Sequence, residues 1–257
     1  MKVSCIQMSA AADGKKSAVD KAVERIRQCR GSDLVVLPEL WTIGFLGFDR
    51  YAADAETETG EILPVMQDLA RETGAYLHTG SLVEKEGDNY YNACYLLSPE
   101  GEVLGSYRKI HLFSYHSPEK KLLTPGDLVS VIPTPLGNFG LAICFDLRFP
   151  ELFRNMVDKG AEIFLVCAAW PYPRLEHWLL FNRVRAVENQ AIVISANACG
   201  PSKGVLFAGH SMIVDPWGIP VAACGDGEAV VSARIDTGIV RDARKEYPGL
   251  SSRTQWL

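Results

Sequence analysis

The sequence predicts an α/β protein built as a layered sandwich, with helices outside and mixed sheets inside. Short apolar runs rich in Val and Ile recur along the chain, and each has the length of a buried strand, about five or six residues. Segments with helical periodicity lie between several of these runs, so strands and helices alternate. Three compact turns join strands as hairpins, which a purely parallel sheet would not contain.

The predicted elements follow one another in a regular order. The apolar runs that predict strands cover residues 3–8, 34–37, 75–83, 92–97, 129–133, 140–145, 163–169, 191–196, 211–214 and 229–235. Helical spacing of apolar residues marks residues 17–29, 62–72 and 175–189. The hairpin turns are residues 98–101, 134–138 and 215–218. The order in residues 1–100 loosely resembles that in residues 140–235, but no repeat of fixed period occurs.

The domain organisation is predicted to be simple. No low-complexity linker divides the chain, so we predict one domain over residues 1–257. The segment 114–127 has the richest loop composition, with two prolines and several Lys and Glu residues. Loops of this length inside a compact domain are often functional, and we therefore predict an active-site loop there.

The composition excludes several classes of protein. The 257 residues include 26 Lys plus Arg against 31 Asp plus Glu, which is a formal net charge of −5. No run of basic residues forms a stripe that would neutralise several phosphates, so we expect neither nucleic acid nor an acidic lipid surface as a partner. An apolar content of 47% is typical of globular proteins and not of disordered ones.

The cysteines and the N-terminal segment indicate the compartment. Seven cysteines are scattered through apolar segments without any Cys-x-x-Cys pair, so a disulfide framework or a zinc ribbon is not expected. The N-terminal segment reaches Asp13 before an apolar run of signal-peptide length accumulates, and no stretch has the ~20 apolar residues of a membrane span. We predict a cytoplasmic protein with reduced thiols.

Most catalytic motifs are absent. The sequence lacks Gly-x-Ser-x-Gly, the phosphate-binding Gly-x-x-x-x-Gly-Lys-Ser/Thr, the dinucleotide-binding Gly-x-Gly-x-x-Gly and His-Glu-x-x-His. We therefore expect no nucleotide, flavin or pyridoxal cofactor. The five histidines are too scattered to predict a metal site, and we interpret His210 as a structural hydrogen-bond donor. Thiols and carboxylates remain as candidates for chemistry.

Cys144 is the best candidate for a nucleophile. It follows the predicted strand of residues 140–143 and precedes a turn that enters a helix at Pro150. A sulfur at the end of a strand is open to substrate and can be stabilised by nearby N–H groups or a cation. The other six cysteines are predicted to lie within strands or helices as small buried apolar residues. Position alone still leaves a structural thiol open for Cys144.

A nucleophilic thiol needs a base, and Glu39 is the best-placed acid in the first half of the chain. It follows a strand and a proline and precedes bulky apolar residues, so its carboxylate is expected to be partly desolvated and suited to proton transfer. Lys109, at the end of a hairpin strand, is the third candidate. A surface acid and a solvated lysine remain as alternatives at this point.

Three blocks together resemble a known family. Pro38-Glu39-Leu40, the segment from Tyr107 to Leu112 and the segment from Cys144 to Glu151 occur in this order and resemble the carbon-nitrogen hydrolase, or nitrilase, superfamily. Four further blocks, at residues 3–8, 91–95, 185–190 and 209–218, are also similar to that superfamily. The resemblance therefore covers nearly the whole chain.

The resemblance implies both a fold and a set of catalytic residues. It implies a four-layer α-β-β-α sandwich that forms homodimers or larger homo-oligomers through helices. It assigns Glu39 as general base, Lys109 as the cation that holds the oxyanion together with the Phe145 N–H, and Cys144 as nucleophile. A further acid commonly follows the lysine of the family within the active-site loop, and Glu119 is the matching position.

Within the superfamily the sequence looks most like the ω-amidases, which deamidate short ω-amido acids such as 2-oxoglutaramate and 2-oxosuccinamate. A substrate carboxylate calls for an arginine that binds it through two hydrogen bonds, and Arg174 is our candidate. Arg148 is the second, although we expect it to hold the nucleophile turn through Asp146 or Glu151. Three aromatic residues are predicted to wall the pocket: Tyr115, Phe145 and Trp170.

Other functions remain open at the level of sequence. The same triad would serve an N-carbamoyl amine or amino-acid amidohydrolase, an aliphatic amidase or a nitrilase. A scaffold that keeps the fold without catalysis is disfavoured, because Glu39, Lys109 and Cys144 are all present. A glutaminase module that feeds ammonia to a synthetase is disfavoured because the chain shows no second catalytic domain, unless the synthetase is a separate chain.

Overall fold

The computed structural model describes residues 1–9, 14–57 and 60–254, so the predicted domain boundary at residue 257 lies outside the described residues. The strands are β1 (Lys2–Gln7), β2 (Leu34–Val36), β3 (Tyr76–Glu86), β4 (Asn89–Leu97), β5 (Val103–Arg108), β6 (Val131–Thr134), β7 (Gly137–Ile143), β8 (Ile163–Ala168), β9 (Ile192–Asn197), β10 (Cys199–Ser202), β11 (Val205–Ala208), β12 (Met212–Val214), β13 (Pro220–Ala223) and β14 (Ala229–Arg234). The helices are α1 (Lys15–Gln28), α2 (Ile62–Thr73), α3 (Glu119–Leu122), α4 (Pro150–Asp158), α5 (Leu175–Asn189) and α6 (Gly238–Glu246).

The strands form two mixed six-stranded sheets and one short hairpin. The first sheet has the order β14-β1-β2-β3-β4-β5, the second has the order β13-β12-β9-β8-β7-β6, and β10 pairs with β11. In the first sheet β1, β2 and β3 are parallel, and their neighbours are antiparallel. In the second sheet β7, β8 and β9 are parallel, again with antiparallel neighbours.

The apolar core lies between the two sheets. Side chains alternate along each strand, so Leu34 and Val36 of β2 pack towards the second sheet while Val35 packs towards α1 and α2. On the other side, Phe153 of α4 and Trp178 of α5 pack against the second sheet. Because both faces of each sheet are covered, the strands are continuous apolar runs in the sequence.

This arrangement confirms the predicted α/β class and the α-β-β-α order of layers. The three predicted helices and the helix start at Pro150 are present. The sequence analysis missed the β10–β11 hairpin and α6, whose segments are short: four residues for each strand and nine for the helix. The predicted strand of residues 140–145 ends earlier, at Ile143, because the chain turns at Cys144.

None of the helices in the described part of the chain combines the length and the apolar character needed to cross a membrane.

Candidate active site

Cys144 stands at a sharp turn at the end of β7. It begins a short 3-10 turn, Cys144–Arg148, and its φ of 49° lies in the left-handed region that side chains other than glycine rarely adopt. The residue is 8% exposed, so its thiol is nearly enclosed but still reaches a cavity. Backbone strain of this kind is commonly found at functional positions, where the surrounding structure imposes it.

A buried carboxylate holds this turn in place. Asp146 is fully buried, and its Oδ2 accepts hydrogen bonds from the Ile143 N–H at 2.9 Å and the Tyr107 hydroxyl at 2.8 Å. Its Oδ1 accepts the His111 N–H at 3.1 Å and lies 2.7 Å from His111 Nδ1. Since Tyr107 belongs to β5, these bonds connect the nucleophile turn of the second sheet to the first sheet.

The expected role of Arg148 at this turn was therefore wrong. The oxygens of Asp146 are occupied by Tyr107, Ile143 and His111, and among the described residues Arg148 forms no ion pair with Asp146 or Glu151. The neighbouring block from Tyr107 to His111 performs the task that the sequence analysis gave to Arg148.

Glu39 lies close to Cys144 and follows strand β2. Its Oε2 accepts the Ala169 N–H at 2.8 Å, and its Oε1 accepts hydrogen bonds from Lys109 Nζ and Asn92 Nδ2, both at 2.8 Å. Its backbone N–H donates to the Ala168 carbonyl at the end of β8. The carboxylate is thus held by both sheets, and it is close enough to Cys144 to affect the protonation of the thiol.

Lys109 and Glu119 complete a buried charged cluster. Lys109 Nζ lies 2.9 Å from Glu119 Oε1 and 2.8 Å from Glu39 Oε1, and all three side chains are completely buried. Glu119 opens α3, and its Oε2 accepts the Phe113 N–H at 2.6 Å. The side-chain amide of Asn92 donates hydrogen bonds to both carboxylates, and the backbone carbonyl of Asn92 accepts a hydrogen bond from the Lys109 backbone N–H.

The cluster controls the protonation of its members. Burial disfavours the charged form of Lys109, but the charges of Glu119 and Glu39 outweigh it and raise the pKa of the ammonium well above its usual range. Burial raises the pKa of Glu119 even though Lys109 opposes this. Burial and then the charge of Glu39 raise the pKa of the Cys144 thiol well above its usual range. Lys109 is therefore cationic, and Cys144 is a thiol, at neutral pH.

Cys144 faces a cavity of about 290 Å³. Glu39, Lys109 and Glu119 lie behind Cys144 and outside the cavity wall. The wall is mostly aromatic and apolar, with two arginines, and is formed by Phe45, Leu46, Phe48, Phe113, Tyr115, His116, Ser117, Cys144, Phe145, Arg148, Ala169, Trp170, Pro171, Arg174, Val205 and Phe207. A small, mostly apolar cavity with a few convergent polar groups is typical of a site for a small molecule.

The chain matches the carbon-nitrogen hydrolase family model over residues 2–245. It belongs to the carbon-nitrogen hydrolase family. It is 33% identical over 248 residues to the 2-oxoglutaramate amidase of Bacillus subtilis, covering 96% of this chain and 95% of that protein. It is 35% identical over 244 residues to human omega-amidase NIT2, covering 91% of this chain and 88% of that protein.

Solved structures agree with this family and its fold. Nit3 of Saccharomyces cerevisiae, a member of branch 10 of the nitrilase superfamily, has a TM-score of 0.89 at 29% identity and covers 98% of this chain and 96% of its own. A mutant of the amidase of Nesterenkonia sp. AN1 has a TM-score of 0.84 at 27% identity, covering 96% and 94%. In that structure the acetamide moiety of fluoroacetamide is covalently added at the active-site cysteine.

The residues that the sequence analysis assigned to this hydrolase fall into two groups. Glu39, Lys109, Glu119 and Cys144 come together in the buried cluster. The five residues predicted to bind substrate all lie on the cavity wall: Tyr115, Phe145, Arg148, Trp170 and Arg174. The predicted loop of residues 114–127 contributes Tyr115 to the wall and Glu119 to the cluster.

One polar residue of the site was missed, and the partner of another was wrong. Asn92, which bridges the two carboxylates, was not predicted, and Asp146 was expected at the turn but paired with Arg148. Each lies inside a block that resembles the family, but an amide or acid within an apolar segment carries no signal about its partner. Phe207 of β11 was also missed because that strand was not predicted.

A second polar cluster lies between the sheets of the hydrolase. His78, Cys94 and Cys167 are fully buried, and their ligand-type atoms lie within 4.8 Å of one another. The Gly80 N–H donates to His78 Nδ1 at 3.2 Å, so the neutral ring carries its proton on Nε2 and has no lone pair free for a metal.

Proposed function

We propose that this carbon-nitrogen hydrolase is a cysteine-dependent amidase of the ω-amidase type. It hydrolyses the terminal amide of a small carboxylate-bearing substrate, such as 2-oxoglutaramate or 2-oxosuccinamate, to an acid and ammonia. The names of the Bacillus and human relatives support the amide substrate. The cluster around Cys144 supports hydrolysis through a thioester.

Attack by Cys144 begins with transfer of its proton to Glu39. The raised pKa of the thiol means that a thiolate does not accumulate before substrate binds. The Glu39 carboxylate is held by Ala169 and Lys109 close to the Cys144 thiol, so it is oriented to take the proton as sulfur attacks the amide carbonyl. This arrangement supports Glu39 as the general base.

The oxyanion that forms is stabilised by the Lys109 ammonium and the Phe145 backbone N–H. Glu119 keeps Lys109 charged and in place through hydrogen bonds at 2.9 and 3.3 Å. Protonated Glu39 then gives its proton to the departing ammonia, which leaves a thioester on Cys144. Water attacks this thioester with Glu39 as base, the bond between the acyl carbon and the Cys144 sulfur breaks, the proton passes from Glu39 to that sulfur, and the acid is released.

The observation that carries the substrate class is a pair of arginines without acidic partners. Arg148 and Arg174 both line the cavity; among the described residues Arg148 has His177 as its polar side-chain partner and Arg174 lies over two aromatic rings, with no carboxylate paired to either. Burial and then the charge of Arg174 lower the pKa of Arg148, because the two guanidinium groups are close enough to repel each other. A substrate carboxylate between them would relieve this repulsion and form charge-assisted hydrogen bonds.

Ammonia release from a panel of compounds tests this function. The panel contains 2-oxoglutaramate, 2-oxosuccinamate, butyramide, an N-carbamoyl amino acid and a short nitrile. We expect the two carboxylate-bearing amides to have the highest kcat/KM, and intact-mass spectrometry during turnover to show an acyl adduct on Cys144. Preferred turnover of the carbamoyl compound or the nitrile would overturn the proposed substrate class while keeping the triad.

Replacing Arg174 separates recognition of the carboxylate from chemistry. We expect Arg174→Ala to raise KM for 2-oxoglutaramate about tenfold or more, because a charge-assisted contact is lost, and to leave KM for butyramide within about twofold. The matched control is Arg241→Ala, which removes an exposed arginine outside the cavity. Equal loss for both amides would contradict a role in binding the carboxylate.

We also propose that the hydrolase is a single-domain cytoplasmic enzyme that forms a homodimer. Five apolar side chains are exposed on α5 and around the β12–β13 hairpin: Leu180, Val187, Trp217, Ile219 and Val221. Such a patch is typical of a protein interface, and all seven cysteines are free, which suits a reducing compartment. Light scattering tests the dimer, and Leu180→Glu is expected to dissociate it.

A further inference from the structure

Arg148 is oriented by a histidine and not by a carboxylate. Its Nη2 lies 3.1 Å from Nδ1 of His177, in the exposed first turn of α5. A guanidinium has only donors, so the histidine nitrogen must be the acceptor and the imidazole must be neutral, with its proton on Nε2. The side chain of Arg148 thus has one polar partner that carries no charge.

Aromatic rings fix the rest of the guanidinium. Its central carbon lies 5.0 Å from the ring centre of Trp170, 5.2 Å from that of Phe181 and 5.8 Å from that of Phe145. These contacts restrict the position of the group but take up little of its positive charge. His177 also packs edge-on against Phe181, so the histidine is itself held in place.

We propose that His177 is a specificity-determining positioning residue: it directs Arg148 towards the cavity without neutralising it, so that the charge is available to a substrate carboxylate. His177 does not line the cavity and acts only through Arg148. The inference rests on the proposed function, because it assumes that Arg148 and Arg174 receive the carboxylate of the substrate.

The chemistry of position 177 follows from this role. A Glu there would form an ion pair with Arg148 and cancel the charge that the substrate needs. A Leu there would remove the acceptor and leave the guanidinium without its polar partner. A Gln would supply a neutral carbonyl oxygen in place of the imidazole nitrogen, so it should preserve both orientation and charge.

Steady-state kinetics of three variants test this proposal, with 2-oxoglutaramate and butyramide as substrates at about pH 8, where imidazole is neutral. For 2-oxoglutaramate we expect KM to rise about tenfold or more in His177→Glu, severalfold in His177→Leu and within about twofold in His177→Gln. For butyramide, KM and kcat of all three variants should stay within about twofold. Glu176→Gln, a change of one charge at the adjacent exposed residue, is the control and should leave both substrates unchanged.

Three results would overturn the proposal. They are an unchanged KM for 2-oxoglutaramate in His177→Glu, an equal rise of KM for both substrates, and a loss in His177→Gln as large as that in His177→Leu. Binding of the product acid, 2-oxoglutarate, measured by calorimetry in the Cys144→Ala background, separates this proposal from the proposed function. If wild type hydrolyses neither amide, the proposed function fails. The role of His177 would still be supported if His177→Glu binds the acid more weakly than the protein that keeps His177.

Discussion

The two sheets have the same pattern of strand pairing but contribute different parts of the site. Each has an antiparallel edge strand, then three parallel strands, then two antiparallel strands. The first sheet leads to Glu39 after β2 and Lys109 after β5, whereas the second leads to Cys144 after β7. The first sheet therefore positions the charged pair Glu39 and Lys109, and the second sheet, with the same strand pairing, positions Cys144.

Equivalent positions in the two sheets show what separates structure from chemistry. β1 corresponds to β7, but β1 ends at Gln7, whose side chain binds the carbonyls of Gly225 and Gly227 and accepts the Ser211 N–H. Its polar atoms are used by the fold. Cys144, after β7, faces a cavity. A strand end becomes a reactive position where its polar atoms are left open to a ligand.

The largest expected effect is loss of the nucleophile. Cys144→Ala should lower kcat about 10⁴-fold or more, with little change in thermal unfolding because the smaller side chain fits the turn. Glu39→Gln should also lose most activity. If Cys144 and Glu39 act as one catalytic unit, the variant that carries both substitutions should be no slower than Cys144→Ala alone. Ammonia release measures kcat of the three variants, and a double variant whose loss of kcat equals the product of the two single losses would show that the residues act independently.

The next effect breaks the charged cluster of the first sheet. Lys109→Met should lower kcat/KM about 10³-fold, since the oxyanion loses its cation. It should also lower the free energy of unfolding by about 3–5 kcal/mol, because two buried carboxylates lose their partner. Urea titration measures stability. Adding Glu119→Gln should restore part of the stability but not the activity, and recovery of both would contradict the role of Lys109.

A smaller effect is expected when the connection between the sheets is cut. Tyr107→Phe removes the hydroxyl that donates to Asp146, so it should lower the free energy of unfolding by about 1–2 kcal/mol and kcat severalfold. Tyr95→Phe is the control, because the Tyr95 hydroxyl interacts with Glu84 of the same sheet. If both variants lose similar stability but only Tyr107→Phe loses kcat, the hydrogen bond between the sheets contributes to catalysis. Equal kcat values in the two variants would contradict this role.

The smallest expected effect is a change in thiol pKa. The charge of Glu39 raises the pKa of Cys144 and that of Lys109 lowers it, so Glu39→Gln should lower the pKa of the thiol and Lys109→Met should raise it. Thiolate absorbance measures the direction of each change, with Cys144→Ala as the blank. An unchanged thiol pKa in both variants would show that burial alone controls the thiol.

Much of the fold was predictable because its signals are local. The apolar runs of residues 34–37 and 163–169 predicted two buried strands, and the helical spacing of residues 175–189 predicted α5 with the bounds that the structure has. The β10–β11 hairpin was not predictable in this way, because it packs against a site loop and not within a sheet core. Its Phe207 nevertheless forms part of the cavity.

The candidate site divides in the same way. Residues inside distinctive blocks, such as Glu39, Lys109 and Cys144, could be proposed from sequence. The partners of Arg148 could not, because nothing in a linear pattern states that it meets His177 and three rings instead of Asp146. Hydrogen-bond partners depend on which side chains the packing of the chain brings close together.

By itself, the sequence determined the alternation of strands and helices and the position of the nucleophile at a strand end, since both depend on neighbours along the chain. Only the tertiary structure decided that Lys109 donates hydrogen bonds to both Glu39 and Glu119. It also decided that Asp146 is hydrogen-bonded to Tyr107 and His111. These contacts join residues of both sheets and the connecting loops, and burial makes them strong enough to control charge.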